Sequence, residues 1–146
     1  MSGMFQSCQT LGSLDLSLFE TEKVLNMSHM LSYCIKLEEI NFKFNTKNVT
    51  NMQQMFYGCE KLKYLDLSSF NTERVTDMKL MFSGSKNLKR IDYSLYFNTP
   101  NVANMNGIFN DCETLEKINL SSFKTENVRN ISFIYLLCFI ISEIWK

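Results

Sequence analysis

The chain has 146 residues, 45% of them hydrophobic and 21% charged, with 15 Lys plus Arg balanced by 15 Asp plus Glu. That length fits about one domain, and the apolar fraction is that of a chain that builds a core rather than a disordered one. The zero net charge and the absence of a basic cluster argue against a nucleic-acid partner, because duplex binding draws on a concentrated positive field.

Taken from the start, "MSGMFQSCQTLGSL" has no basic segment followed by an apolar run, so it encodes no signal peptide. A pattern M-F-x-x-C-x-x-L then begins near residues 4, 30, 55, 81 and 108. The intervals are 26, 25, 26 and 27 residues. Each copy carries a version of one phrase: "LDLSLFETEKVLNM" at 14–27, "LDLSSFNTERVTDM" at 65–78 and "INLSSFKTENVRNI" at 118–131. The short interval reflects a residue missing before Phe44, the long one a residue added before Phe97. Both changes follow the L-x-L segment, which places a loop there.

Within a copy, alternation over 11–17, 37–43, 62–68, 88–94 and 115–121 predicts a strand. Next come Val75, Met78, Met81 and Phe82 at offsets 0, 3, 6 and 7, a spacing that predicts a short helix over 73–82 starting at Thr72. Columns of one residue type recur across the copies. Phe19, Phe44, Phe70, Phe97 and Phe123 form one, and Thr21, Thr46, Thr72, Thr99 and Thr125 another. Val24, Val49, Val75, Val102 and Val128 form a third. Such columns are what stacked copies require, since each side chain then packs against its own counterpart. Five coils over 4–133 are expected, with 134–146 a degenerate or truncated sixth. The apolar run Phe133–Ile141 is far short of the about 20 residues needed to cross a membrane.

Few residues invite chemistry. Cys8, Cys34, Cys59, Cys112 and Cys138 share one slot, where the fourth copy has Ser85. No two lie at zinc-ligand spacing, and buried free thiols are the expected state. His29 has no fixed partners, and its counterparts are Gln54, Leu80, Gly107 and Phe133, so no catalytic role is expected. No phosphate-binding loop or nucleophile elbow is present, and no cofactor or metal is expected. On the outer face of the strands, Asp15, Asn41, Asp66, Asp92 and Asn119 form a uniform column suited to a structural ladder. Acidic neighbours also invite a cation, but one pair supplies too few oxygens. Beside it, Ser13, Glu39, Tyr64, Arg90 and Lys117 vary from copy to copy. Variation suits either specificity positions or unselected surface. The candidate partner-binding face is therefore Glu39, Tyr64, Asp66, Arg90, Asp92 and Lys117. Four N-x-S/T sequons, at Asn26, Asn48, Asn119 and Asn130, arise readily in an Asn- and Ser-rich repeat.

The L-x-x-L-x-L core and the longer phrase "LDLSSFNTERVTDMKLMF" with "FYGCEKL" resemble the BspA-like leucine-rich repeats, in particular the subtype of mycoplasma surface proteins and lipoproteins. The resemblance covers residues 4–133. It implies an α/β fold, a right-handed leucine-rich-repeat solenoid of about 26-residue strand–loop–short-helix coils with a parallel sheet on one face. It also implies display at the cell surface or outside the cell, no enzymatic activity, and adhesion to a protein or glycan. The alternative is a structural spacer, or a fragment of a longer array that self-associates through uncapped ends.

Overall fold

A computed structural model describes residues 1–116, 118 and 120–130. Four short strands form: β1 (Ser13–Asp15), β2 (Glu39–Asn41), β3 (Tyr64–Leu67) and β4 (Arg90–Tyr93). Each lies inside one of the first four windows of alternation. In the fifth window Lys117 and Asn119 lie outside the described residues, as do 134–146 with the expected sixth coil.

The α/β solenoid of strand–loop–short-helix coils is not what forms. No helix occurs among the described residues, and the strands make two separate two-stranded parallel sheets, β1–β2 and β3–β4, rather than one sheet along a face. The break between β2 and β3 coincides with the copy that is one residue short after its strand. There Phe42 and Phe44, with a single residue between them, both turn inward and stack at 5.0 Å.

The segment expected to be helical is a chain of turns. Met81, Ser83 and Ser85 donate their N–H three residues back, to Met78, Leu80 and Phe82. Between them Met78, Leu80, Phe82 and Gly84 donate to Asn104, Asn106, Ile108 and Asn110 in the next copy. A helix sends each N–H four residues back along its own chain, so this alternation excludes one. Leu80 and Gly84 also have φ of +54° and +74°, the left-handed value required at the third position of a type II turn. The same pair of left-handed residues recurs at His29 and Tyr33, at Gln54 and Gly58, and at Gly107 and Asp111. Val75, Met78, Met81, Phe82, Ser85 and Leu88 are buried all the same, at nearly the offsets of a helix face.

The longest ladder is made of bridges rather than strands. Asn26, Asn51, Asp77, Asn104 and Asn130 pair in succession, each parallel to the next. In the first four of these, the side-chain oxygen accepts the N–H two residues on, closing a small turn. The core lies between the strands and the turn chain. Val49, Met52, Met55, Phe56, Leu62, Leu65, Phe70, Val75, Met78 and Leu88 are all fully buried. Phe56, Phe82 and Phe109 stack nearly parallel, with centroids 5.7 and 5.4 Å apart.

Buried polar columns tie the copies together. Thr46 Oγ1 donates to Asn71 O and accepts from Asn71 N, both at 2.8 Å. Thr21 does the same with Asn45, and Thr99 with Lys124. Thr72 donates to Asn98 O. Each hydroxyl clips the backbone of the following copy, and none of them starts a helix. Replacing Thr46 by Val is expected to destabilise the protein by about 2–4 kcal/mol, since two buried backbone groups lose their partner. Thr46→Ser keeps the hydroxyl and is expected to stay within about 1 kcal/mol of the parent. Urea unfolding of the two variants measures the difference.

Candidate binding face

The strand positions that point away from the core gather Tyr64, Asp66, Arg90 and Asp92 on β3 and β4. The register sets Tyr64 beside Arg90 and Asp66 beside Asp92. Leu65, Leu67 and Ile91 alternate with them and are buried, which fixes the outward direction of the polar residues.

Three of these side chains form one cluster. The Tyr64 hydroxyl donates to Asp92 Oδ2 at 2.7 Å, and Arg90 Nε donates to Asp92 Oδ1 at 2.7 Å. The Arg90 guanidinium also sits over the Tyr64 ring, 5.8 Å from its centroid. The Arg90 and Tyr64 bonds hold the Asp92 carboxyl below the usual carboxylate range. Acceptance by Asp92 in turn raises the Tyr64 phenol above its ordinary value, and the same carboxylate raises Arg90. All three groups face solvent, so the arrangement orders side chains more than it stabilises the fold.

Asp66 behaves differently. Its Oδ1 accepts the N–H of Ser68 at 2.9 Å, as Asp15 does from Ser17 at 2.8 Å. The Ser17 bonds likewise lower the Asp15 carboxyl. The uniform column therefore has a structural duty at Asp15 and Asp66, the closing of the turn after the strand. Asp92 gives its oxygens to side chains instead. Glu39 is exposed on β2, in the other sheet, and Lys117 lies outside the described residues. The structure thus brings together Tyr64, Asp66, Arg90 and Asp92 of the expected face.

Sequence reasoning missed Leu95 and Tyr96, which lie two and three residues past β4 and are 85% and 67% exposed. The signal was present in the extra residue before Phe97: Phe97 keeps its buried slot, so the surplus chain is pushed outward. It also missed the bridging Asn/Asp column, which is legible as the residue before each Met27-type position.

The other candidate chemistries have structural duties. The thiols of Cys34, Cys59 and Cys112 donate to the carbonyls of Phe5, Leu31 and Phe82 in the preceding copy, at 3.2, 3.3 and 3.1 Å. Ser85 fills the slot with a hydroxyl that donates to Phe56 O at 2.9 Å. A small buried donor is what the slot demands, and sulfur is incidental to it. Burial pushes the Cys34 thiol up to about 11 and Cys59 higher still, which keeps both protonated and unreactive. His29 occupies a left-handed turn position, with φ of +57°. Among the described residues no three His, Cys, Asp or Glu side chains gather as a metal site, and no helix is long and apolar enough to cross a membrane.

A family model described as "Mycoplasma protein of unknown function, DUF285" matches the sequence twice, over residues 1–95 and 65–139. The chain belongs to that family. The two placements overlap, as a repeating phrase allows. No curated protein and no solved structure matches the chain significantly.

Replacing Asp92 by Asn removes the charged acceptor from Tyr64. The phenol is then expected to ionise at lower pH than in the parent, seen as an earlier rise in the tyrosinate absorbance difference between the two proteins. The sign follows from linkage. The raised Tyr64 phenol favours the fold below the ordinary tyrosine range, and that contribution fades as pH climbs through the folded value. The lowered Asp92 carboxyl favours the fold above the ordinary carboxylate range and loses its effect as pH falls through its folded value.

Proposed function

We propose that this member of the mycoplasma family is a non-catalytic interaction or adhesion module, displayed at the cell surface, that takes a protein or glycan on the face built from Tyr64, Arg90 and Asp92. The observation that carries this reading is the departure of Asp92 from its column. Its counterparts Asp15 and Asp66 cap backbone N–H groups, whereas Asp92 holds an exposed tyrosine and an exposed arginine in a fixed relation. Tyr and Arg are the residues most enriched at the energetic centres of interfaces, and side chains already ordered lose less entropy on binding. Leu95 and Tyr96 extend the exposed apolar area at the end of β4.

The resemblance of the repeated phrase to BspA-like surface repeats supports display outside the cell. A second reading, a structural spacer within a longer array, is favoured by the ladders that link successive copies.

The test is a solid-phase screen of the purified chain against extracellular-matrix proteins and a glycan array, repeated with Arg90→Glu and Tyr64→Ala. A binding role predicts at least one ligand whose apparent affinity falls tenfold or more in each variant. Ligands bound equally by all three proteins, or no ligand at all, would favour the spacer.

A further inference from the structure

Tyr33, Gly58, Gly84 and Asp111 hold one slot of the turn chain in successive copies, with φ of +61°, +68°, +74° and +56°. Tyr33 and Asp111 show that the slot accepts a side chain at this left-handed value, so the turn by itself does not require the two glycines. The residues just before them, Ser32, Tyr57, Ser83 and Asn110, form a second row. Where both rows carry long side chains, those side chains meet. The Tyr57 ring touches the Tyr33 ring edge-on, with centroids 5.0 Å apart, and Asn110 Nδ2 donates to Asp111 Oδ2 at 2.9 Å.

Between these two pairs lies a notch at Gly84. Apart from its chain neighbours, a Cβ there would meet only the Gly58 backbone, at 3.5 Å. At Gly58 the equivalent place is already taken by the Tyr33 ring, 3.2 Å away. Ser83 stands beside the notch in the row whose side chains turn toward the glycine slot. It is 2% exposed, and its hydroxyl has no hydrogen-bond partner among the described residues, which include both neighbouring copies at this level. A buried polar group without a partner is uncommon and calls for one. The Tyr57 phenol is raised above its ordinary value by the Tyr33 side chain first, then by burial and by the charge of Asp111, so that carboxylate lies on the same side.

We infer that this notch binds a neutral pyranose ring, at a sugar site on the turn side that is separate from the strand face and does not rest on it. Tyrosine offers an apolar ring surface beside a polar tip, which suits the C–H face of a sugar with its hydroxyl rim. Ser83 supplies a hydroxyl that both donates and accepts, and Asn110 and Asp111 add amide and carboxylate groups opposite the rings. A few convergent polar groups against an aromatic wall are the usual make-up of a small-ligand site. An alkylammonium group would use the rings and the carboxylate but could only donate, leaving the Ser83 proton without an acceptor.

The 15N-labelled 146-residue chain is titrated with the methyl glycosides of glucose, galactose, mannose and N-acetylglucosamine, and its amide spectrum is followed. The Gly58 and Gly84 amides are expected to shift saturably with at least one glycoside, while Gly12 stays in place. Glycerol, which has hydroxyls but no ring, is expected to move none of them at the same concentration. Ser83→Ala is expected to weaken binding about threefold or more without lowering the thermal melt, because the hydroxyl it removes has no partner in the free protein. Gly84→Asn fills the notch with a residue that tolerates the left-handed conformation, and is expected to abolish the shifts. Arg90→Glu is expected to leave them unchanged, which separates this site from the strand face. If one notch variant melts early, the other carries the comparison. Failure of all four glycosides to move Gly84 would overturn the inference. So would equal shifts with glycerol, parent-like binding in the notch variant that keeps its melt, or loss of the shifts in Arg90→Glu.

Discussion

The fold depends on one constraint: the backbone of a turn chain satisfies only half of its own donors. Between Leu80 and Ser85 the N–H groups alternate between a carbonyl three residues back and a carbonyl in the next copy. A buried amide without an acceptor costs about as much as a lost hydrogen bond, so such a segment is stable only when another copy lies against it. A helix would free each copy from its neighbours. Left-handed residues at Leu80 and Gly84, and at their counterparts, commit the chain to stacking instead.

Given stacking, each column has a duty that its chemistry explains. Buried threonines clip the backbone ahead of them, and the cysteine slot reaches the carbonyl behind. Ser85 shows that the requirement is a compact donor, since hydroxyl and thiol make the same bond. On the exposed flank, Asn48, Asn101 and Asn127 donate to the carbonyls of Glu22, Glu73 and Pro100 in the previous copy. Ion pairs Lys47–Glu22 and Lys86–Glu60 lie across neighbouring copies as well. Exposed pairs of this kind add about 0–1 kcal/mol each, so they tune register more than they hold the stack.

The candidate face arises where the scaffold leaves freedom. Side chains with backbone duties are tied to one chemistry, a compact donor or a short side-chain oxygen, whereas the Ser13–Glu39–Tyr64–Arg90 positions carry no such duty and differ in every copy. The insertion before Phe97 exposes Leu95 and Tyr96 at little cost to the core, because the added chain lies in a surface connection. Asp92 links both kinds of position. It sits in the uniform column yet serves its variable neighbours.

The sequence by itself determined the period, the first four strand windows and the core. An identical side chain every 25–27 residues has a stable place only against its own counterpart, so Phe44, Phe70, Val75 and Met78 were legible as interior. The outward set of Tyr64, Asp66, Arg90 and Asp92 was legible too, because strand alternation is a local property. Tertiary structure alone decided between helix and turns. Both place inward residues about three apart, and the difference lies in where each N–H finds its acceptor, which for Phe82 is Ile108, 26 residues away. It also decided the split into two sheets and the use of Asp92. Each of these depends on which group of a neighbouring copy comes within about 3 Å, a fact that no single copy contains.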